Sequence, residues 1–129
     1  MIDDMGFEKE ITVMLDGEEY PLLLTTLATK QIAAKIGGLD KLKETLTVST
    51  GEEAEMFDTI CWLIALLVNQ PIMKQNRIHR DNLKPLFEAD DIALITQPRE
   101  LGELMNKVSD AINRGSDRNV PDGASTEKN

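Results

Sequence analysis

Nine consecutive apolar residues, ICWLIALLV at positions 60–68, constrain the fold of this chain more than any other feature. A helix on a protein surface keeps one polar face, whereas a helix without one has to be enclosed on several sides. The surrounding sequence, VSTGEEAEMFDTICWLIALLVNQP, reads as a single helix. Ser49 or Thr50 offers an N-cap, Glu52 and Glu53 complement the positive end of the helix dipole, and Pro71 marks the expected far limit. At about 100° per residue, Met56, Phe57, Ile60, Cys61, Leu63, Ile64, Leu67 and Val68 share one broad face. The opposite side carries Asp58, Thr59 and Asn69, but also Trp62 and Leu66, one turn apart. Such a helix is the middle of a bundle, or else Trp62 and Leu66, with Asp58 beside them, form a partner-binding face, since interface centres favour large aromatic side chains. The apolar run falls well short of the roughly 20 residues that span a bilayer, so a buried helix and no membrane contact are expected.

The rest of the chain has to supply the enclosure. In ITVMLDGEEYPLLL, Ile11, Val13 and Leu15 alternate with Thr12 and Met14, Asp16-Gly17 interrupts, and Tyr20 to Leu24 follow. Alternation broken by Asp-Gly predicts a β-hairpin over residues 10–24, and Pro21 requires the second strand to be an edge or to begin there. From residue 25 the period changes to that of a helix, with a capping Thr, then Ala28, Ile32 and Ile36 four apart, and Gly37 to stop it. Leu39, Leu42 and Leu46 predict a second short amphipathic helix. Residues 81–96, DNLKPLFEADDIALIT, read as further helical turns interrupted near Pro85, and Pro98 opens a last helix with Leu101, Leu104, Met105, Val108 and Ile112 as its stripe. The predicted fold is α+β, mainly α. It places a hairpin ahead of a bundle of about five helices in one domain over residues 1–113, with the helical body at 26–113. Residues 114–129 contain only Val120 as a sizeable apolar side chain and are expected to be a disordered tail.

Composition narrows the partners. The net charge is −9, from 23 acidic and 14 basic residues, and aromatic residues make up 4% of the chain. A phosphate backbone would be repelled and no stacking platform can be built, so nucleic acid is not an expected partner. A single cysteine, Cys61, excludes an internal disulfide and any multi-cysteine metal site. The acidic N-terminus lacks the basic-then-apolar order of a secretory signal, and a cytoplasmic protein is expected.

IHRDNLKP, at residues 78–85, superficially resembles a kinase catalytic loop. In that loop an Asn five residues after the Asp holds magnesium, but here Leu86 stands five after Asp81. No glycine-rich phosphate cover and no DFG accompany it, so the stretch reads as a polar connector with Asp81 as a helix N-cap. His79 is the sole histidine. Asp90 and Asp91 are adjacent, a spacing that starts a helical turn and does not form a proton-sharing pair. Cys61 lies inside the apolar run, where a thiol is inert. Neither enzymatic activity nor a catalytic residue, metal or cofactor is expected, and a hydrolase site shared between subunits would need Asp81, Asp90 or His79 to line a pocket.

Leu15, Asp16, Gly17, Glu19, Tyr20 and Leu22, followed by Gly38, Leu39, Lys41 and Leu42, resemble the opening half of the tail assembly chaperones of long-tailed bacteriophages and prophages. The helix around FDTICWLIALLVNQ is loosely similar. The resemblance implies a host-cytoplasmic protein that escorts the tape measure protein, with the tail tube protein as a further candidate partner, stays out of the virion and can form oligomers. It also implies a longer frameshifted form, for which Glu127, Lys128 and Asn129 can be encoded by a slippery heptamer. The alternative is a small acidic prophage regulator or adaptor acting by protein–protein binding.

Overall fold

The computed structural model describes residues 10–42 and 53–117. The fold is α+β and mainly α, an antiparallel hairpin followed by about five helices. Strands β1 (Ile11–Leu15) and β2 (Glu18–Leu22) precede α1 (Thr26–Ile36) and a helical turn at residues 39–42. Helix α2 (Glu53–Ile78) is followed by α3 (Ala89–Ile95), a 3₁₀ turn (Pro98–Glu100) and α4 (Leu101–Asp117). Ser49, Thr50, Glu52 and Leu46 lie outside the described residues, as does the sequence after Asp117. Helix α4 itself runs four residues past the expected boundary at 113, through Arg114, Gly115 and Ser116 to Asp117, and the Ser116 hydroxyl donates back to the Ile112 carbonyl at 2.7 Å.

The hairpin forms for the reason its sequence suggests. Asp16 and Gly17 both take positive φ, 54° and 83°, the combination of a type I′ turn, whose twist matches that of the flanking strands. Leu15 then faces Glu18, Val13 faces Tyr20 and Thr12 faces Pro21. Counting alternate pairs outward from the turn puts Pro21 in a non-hydrogen-bonded pair, where its missing N–H points away from β1 and nothing is lost. Val13, Leu15 and Leu22 face the core, while Met14 on the other face is 61% exposed.

Helix α1 is capped by Thr25, whose hydroxyl oxygen accepts from the Ala28 N–H at 3.0 Å, and it ends at Gly37, where φ is 108°. Helix α2 is the centre of the domain, with the hairpin, α1, α3 and α4 all packed on it. Leu63, Ile64 and Leu67 have no exposed surface. Its length and composition suffice to cross a membrane, yet 56% of its most apolar window is buried, the pattern of a core helix packed by its own chain.

The expected limit at Pro71 is overturned, because α2 continues through it to Ile78. A proline within a helix removes the N–H that would bind the carbonyl four residues back, here that of Leu67. The backbone N–H of Leu23, just past β2, donates to that freed carbonyl at 3.2 Å. One residue earlier, Gln70 is 3% exposed, and its amide is satisfied on both sides. Its Nε2 donates to the Leu66 carbonyl at 2.9 Å and its Oε1 accepts from the Thr25 hydroxyl at 2.6 Å. The proline therefore exposes a backbone acceptor that fastens the end of the hairpin to α2, and the neighbouring Gln70 side chain fastens the start of α1. Pro71→Ala restores a competing N–H, so amide hydrogen exchange should show the Leu23 N–H protected in the parent protein and exchanging about fivefold to tenfold faster in the variant.

A second departure lies between α2 and α3. Asp81 caps no helix, since the chain turns at residues 80–82 and the next helix begins only at Ala89. Residues 83–88 form a non-helical strap laid along α2 and held by two asparagines. Asn76 donates to the Lys84 carbonyl at 3.1 Å and accepts from its N–H at 2.9 Å. Asn69 does the same for Phe87, at 2.8 Å for each bond. Seven residues of α-helix advance roughly 10.5 Å, and three residues of polyproline II advance about 9.3 Å. The asparagine spacing thus matches a three-residue step of extended chain, for which Pro85 is suited. Asp90 and Asp91 do start a helical turn, and the Asp91 carboxylate accepts from the Glu88 N–H at 2.8 Å.

Candidate partner-binding site

The three residues singled out on α2 have different surroundings. Leu66 is 7% exposed and belongs to the core. Trp62 is half-buried against that core, with the Lys35 ammonium of α1 lying 5.2 Å from the centroid of its ring, a cation–π contact that ties α1 to α2. Asp58, one turn earlier, is exposed. Helical spacing put Trp62 and Leu66 on one side, but a helix packed by four other elements leaves only a narrow open strip, and Leu66 falls outside it, in the core.

The ionisable groups are dispersed. His79 and Asp81 are exposed in the connector, and Asp90 is exposed on α3. Among the described residues no three His, Cys, Asp or Glu side chains gather closely enough to hold a metal ion. Cys61 is 3% exposed. Burial pushes its thiol pKa up, and the nearby carboxylates of Asp58 and Asp90 push it further. The thiol is protonated at neutral pH and is a poor nucleophile. Iodoacetamide at pH 8 should therefore leave Cys61 of the folded protein almost unmodified while labelling it fully in urea. The raised folded pKa also means that the thiol's contribution to stability is complete below its ordinary value of about 8.5 and is lost as pH climbs above it.

Two neighbouring clefts flank the hairpin turn, and neither is lined by His79, Asp81 or Asp90. The first, of about 830 Å³, lies between β2, the strap and α3. The second, of about 630 Å³, lies between β1 and the start of α4, and both are lined by Asp16 and Ile95. In the first, the rings of Tyr20 and Phe87 meet edge to face at 5.2 Å, so the hairpin touches the strap directly. The Tyr20 hydroxyl donates to the Glu18 carboxylate at 2.8 Å. That bond raises the phenol pKa first, followed by burial and by the charges of Glu18 and Asp16.

Sequence reasoning did not find these clefts, because it gave helical turns to residues that form the strap. The available signal was the pair Asn69 and Asn76, seven apart on one helix face, followed by a Lys-Pro step. No family model, curated protein or solved structure matches this chain.

Proposed function

We propose that this chain works by binding, as a tail assembly chaperone of a long-tailed bacteriophage or prophage. In the host cytoplasm it holds the tape measure protein before tube polymerisation, with the tail tube protein as a further candidate client. The observation that carries this reading is that large apolar side chains stand open beside clefts that none of the candidate catalytic residues, His79, Asp81 and Asp90, lines. Leu94 is 83% exposed, Leu86 45% and Met14 61%. Scattered single hydrophobes are ordinary on a surface, but several beside a concave cleft are a recognition feature. The hairpin carries the first part of the resemblance to these chaperones; its β2 strand lines the first cleft, its β1 strand the second, and Asp16 of the turn borders both.

Co-expression with the tape measure gene of the same tail cluster, followed by affinity capture, tests the proposal. The expected result is a soluble complex containing both chains. A tape measure protein that stays insoluble and absent from the eluate refutes it, and repressor or integrase neighbours in place of tail genes favour the acidic adaptor. Self-association, with Trp62 as its candidate contact, is read by light scattering across a dilution series.

A further inference from the structure

From the two clefts we infer one continuous docking groove for a basic amphipathic helix of a partner protein. The inference rests on the binding reading above only in needing a protein partner, whatever that partner's identity.

The floor is apolar. Tyr20, Pro21, Ile72 and Phe87 line it, and Leu86 and Leu94 project at its margin. Leu94 sits on α3, a helix of seven residues that buries Ile92 and leaves Leu94 to solvent. The rim is acidic. Glu10, Asp16, Glu18 and Asp91 border the first cleft with Lys84 as the one cation, and Glu100 and Glu103 border the second with Lys107. Six carboxylates against two ammonium groups, around an apolar floor, complement a helix whose leucine-like stripe is flanked by Lys and Arg.

The same observations disfavour the other occupants. A second copy docked by this face would set six carboxylates against their own images. An added β-strand in the first cleft would need a free edge, yet the two edges beside its floor are poor in free backbone donors. The Lys84 and Phe87 backbone groups are taken by Asn76 and Asn69, and Pro85 has no N–H. On β2 the outward-facing position beside the floor is Pro21, which also has none. A helix needs no backbone partners from its groove.

The test uses the full chain and a Leu/Lys amphipathic peptide of about 18 residues, roughly 27 Å of helix. Its Leu/Glu counterpart and a scrambled Leu/Lys peptide serve as controls. Binding is followed by fluorescence anisotropy and by methyl NMR. The expected result is binding of the Leu/Lys helix alone, with methyl shifts at Leu86, Leu94 and Ile95. Leu94→Ser combined with Leu86→Ser should weaken it about tenfold or more with unchanged circular dichroism, since both side chains are already exposed. Glu18→Gln with Glu103→Gln, a second variant that leaves the floor intact, should weaken binding and flatten its salt dependence. Equal binding of the scrambled peptide, shifts centred on Trp62, or a concentration-dependent dimer abolished by Leu94→Ser would each overturn the inference. A Leu86/Leu94 double variant that still binds the Leu/Lys peptide and still captures the tape measure protein would sink the groove and leave the chaperone reading standing. Peptide binding in the groove without tape measure capture would do the reverse.

Discussion

Asn69→Ala is expected to lower the free energy of unfolding by about 2–4 kcal/mol. The reason is bidentate pairing in a half-buried place. One amide satisfies both the N–H and the carbonyl of Phe87, so truncation leaves two backbone groups without partners. A hydrogen bond contributes about 1 kcal/mol net, but each orphaned buried group costs about 1–3 kcal/mol. Asn76 makes the same pair of bonds to Lys84 at the exposed end of the strap, where water replaces them. Asn76→Ala should therefore cost under about 1 kcal/mol. Asn69→Asp keeps the acceptor for the Phe87 N–H and loses the donor to its carbonyl, so it should fall between. Urea unfolding of the three variants orders them, and equal losses for Asn69→Ala and Asn76→Ala would show that the strap is not anchored at its inner end. Releasing Phe87 also breaks the edge contact with Tyr20, so the groove loses part of its floor.

These asparagines show where sequence reasoning stops. The hairpin was legible because Asp16-Gly17 and period-two alternation are both local signals, and the turn angles follow from them. Helices α1 and α4 were legible in the same way, from Thr25, Gly37 and the stripe from Leu101 to Ile112. Pro71 was misread because its tolerance depends on Leu23, a residue far away in the chain whose N–H takes the carbonyl that the proline frees. The strap was misread because Leu83, Leu86 and Phe87 mimic a helical spacing, while the Asn69 and Asn76 contacts that hold it extended are tertiary. The apolar character of α2 announced enclosure but not its geometry, so the groove emerged only once the hairpin, strap and α3 were set beside one another. Local rules predicted elements here, and side chain to backbone bonds between elements decided where those elements end.

Leu66→Ala should destabilise the domain by about 2–4 kcal/mol, the usual cost of emptying a leucine site in a packed core. Leu66 is 7% exposed and its own carbonyl also receives the Gln70 amide, so the surrounding backbone is poorly placed to collapse into the space left behind. For a domain of roughly 100 residues, each kcal/mol lowers Tm by about 4–8 °C, so the shift is large enough to read in a thermal scan. Asp58→Asn, on an exposed carboxylate of the same helix, should stay within about 0.5 kcal/mol of the parent. Trp62→Leu removes the ring above which Lys35 sits and should cost about 1 kcal/mol, consistent with a half-buried cation–π contact. These three values separate core from surface on the one helix where spacing alone could not. If Leu66→Ala abolishes client capture, the thermal scan should show an equally clear loss of fold, whereas a capture defect in Asp58→Asn at unchanged Tm would move the contact surface from the hairpin groove to the open strip of α2. A Leu66→Ala protein that melts with the parent would mean that α2 is not enclosed at this turn, and the packing described for the centre of the domain would be wrong.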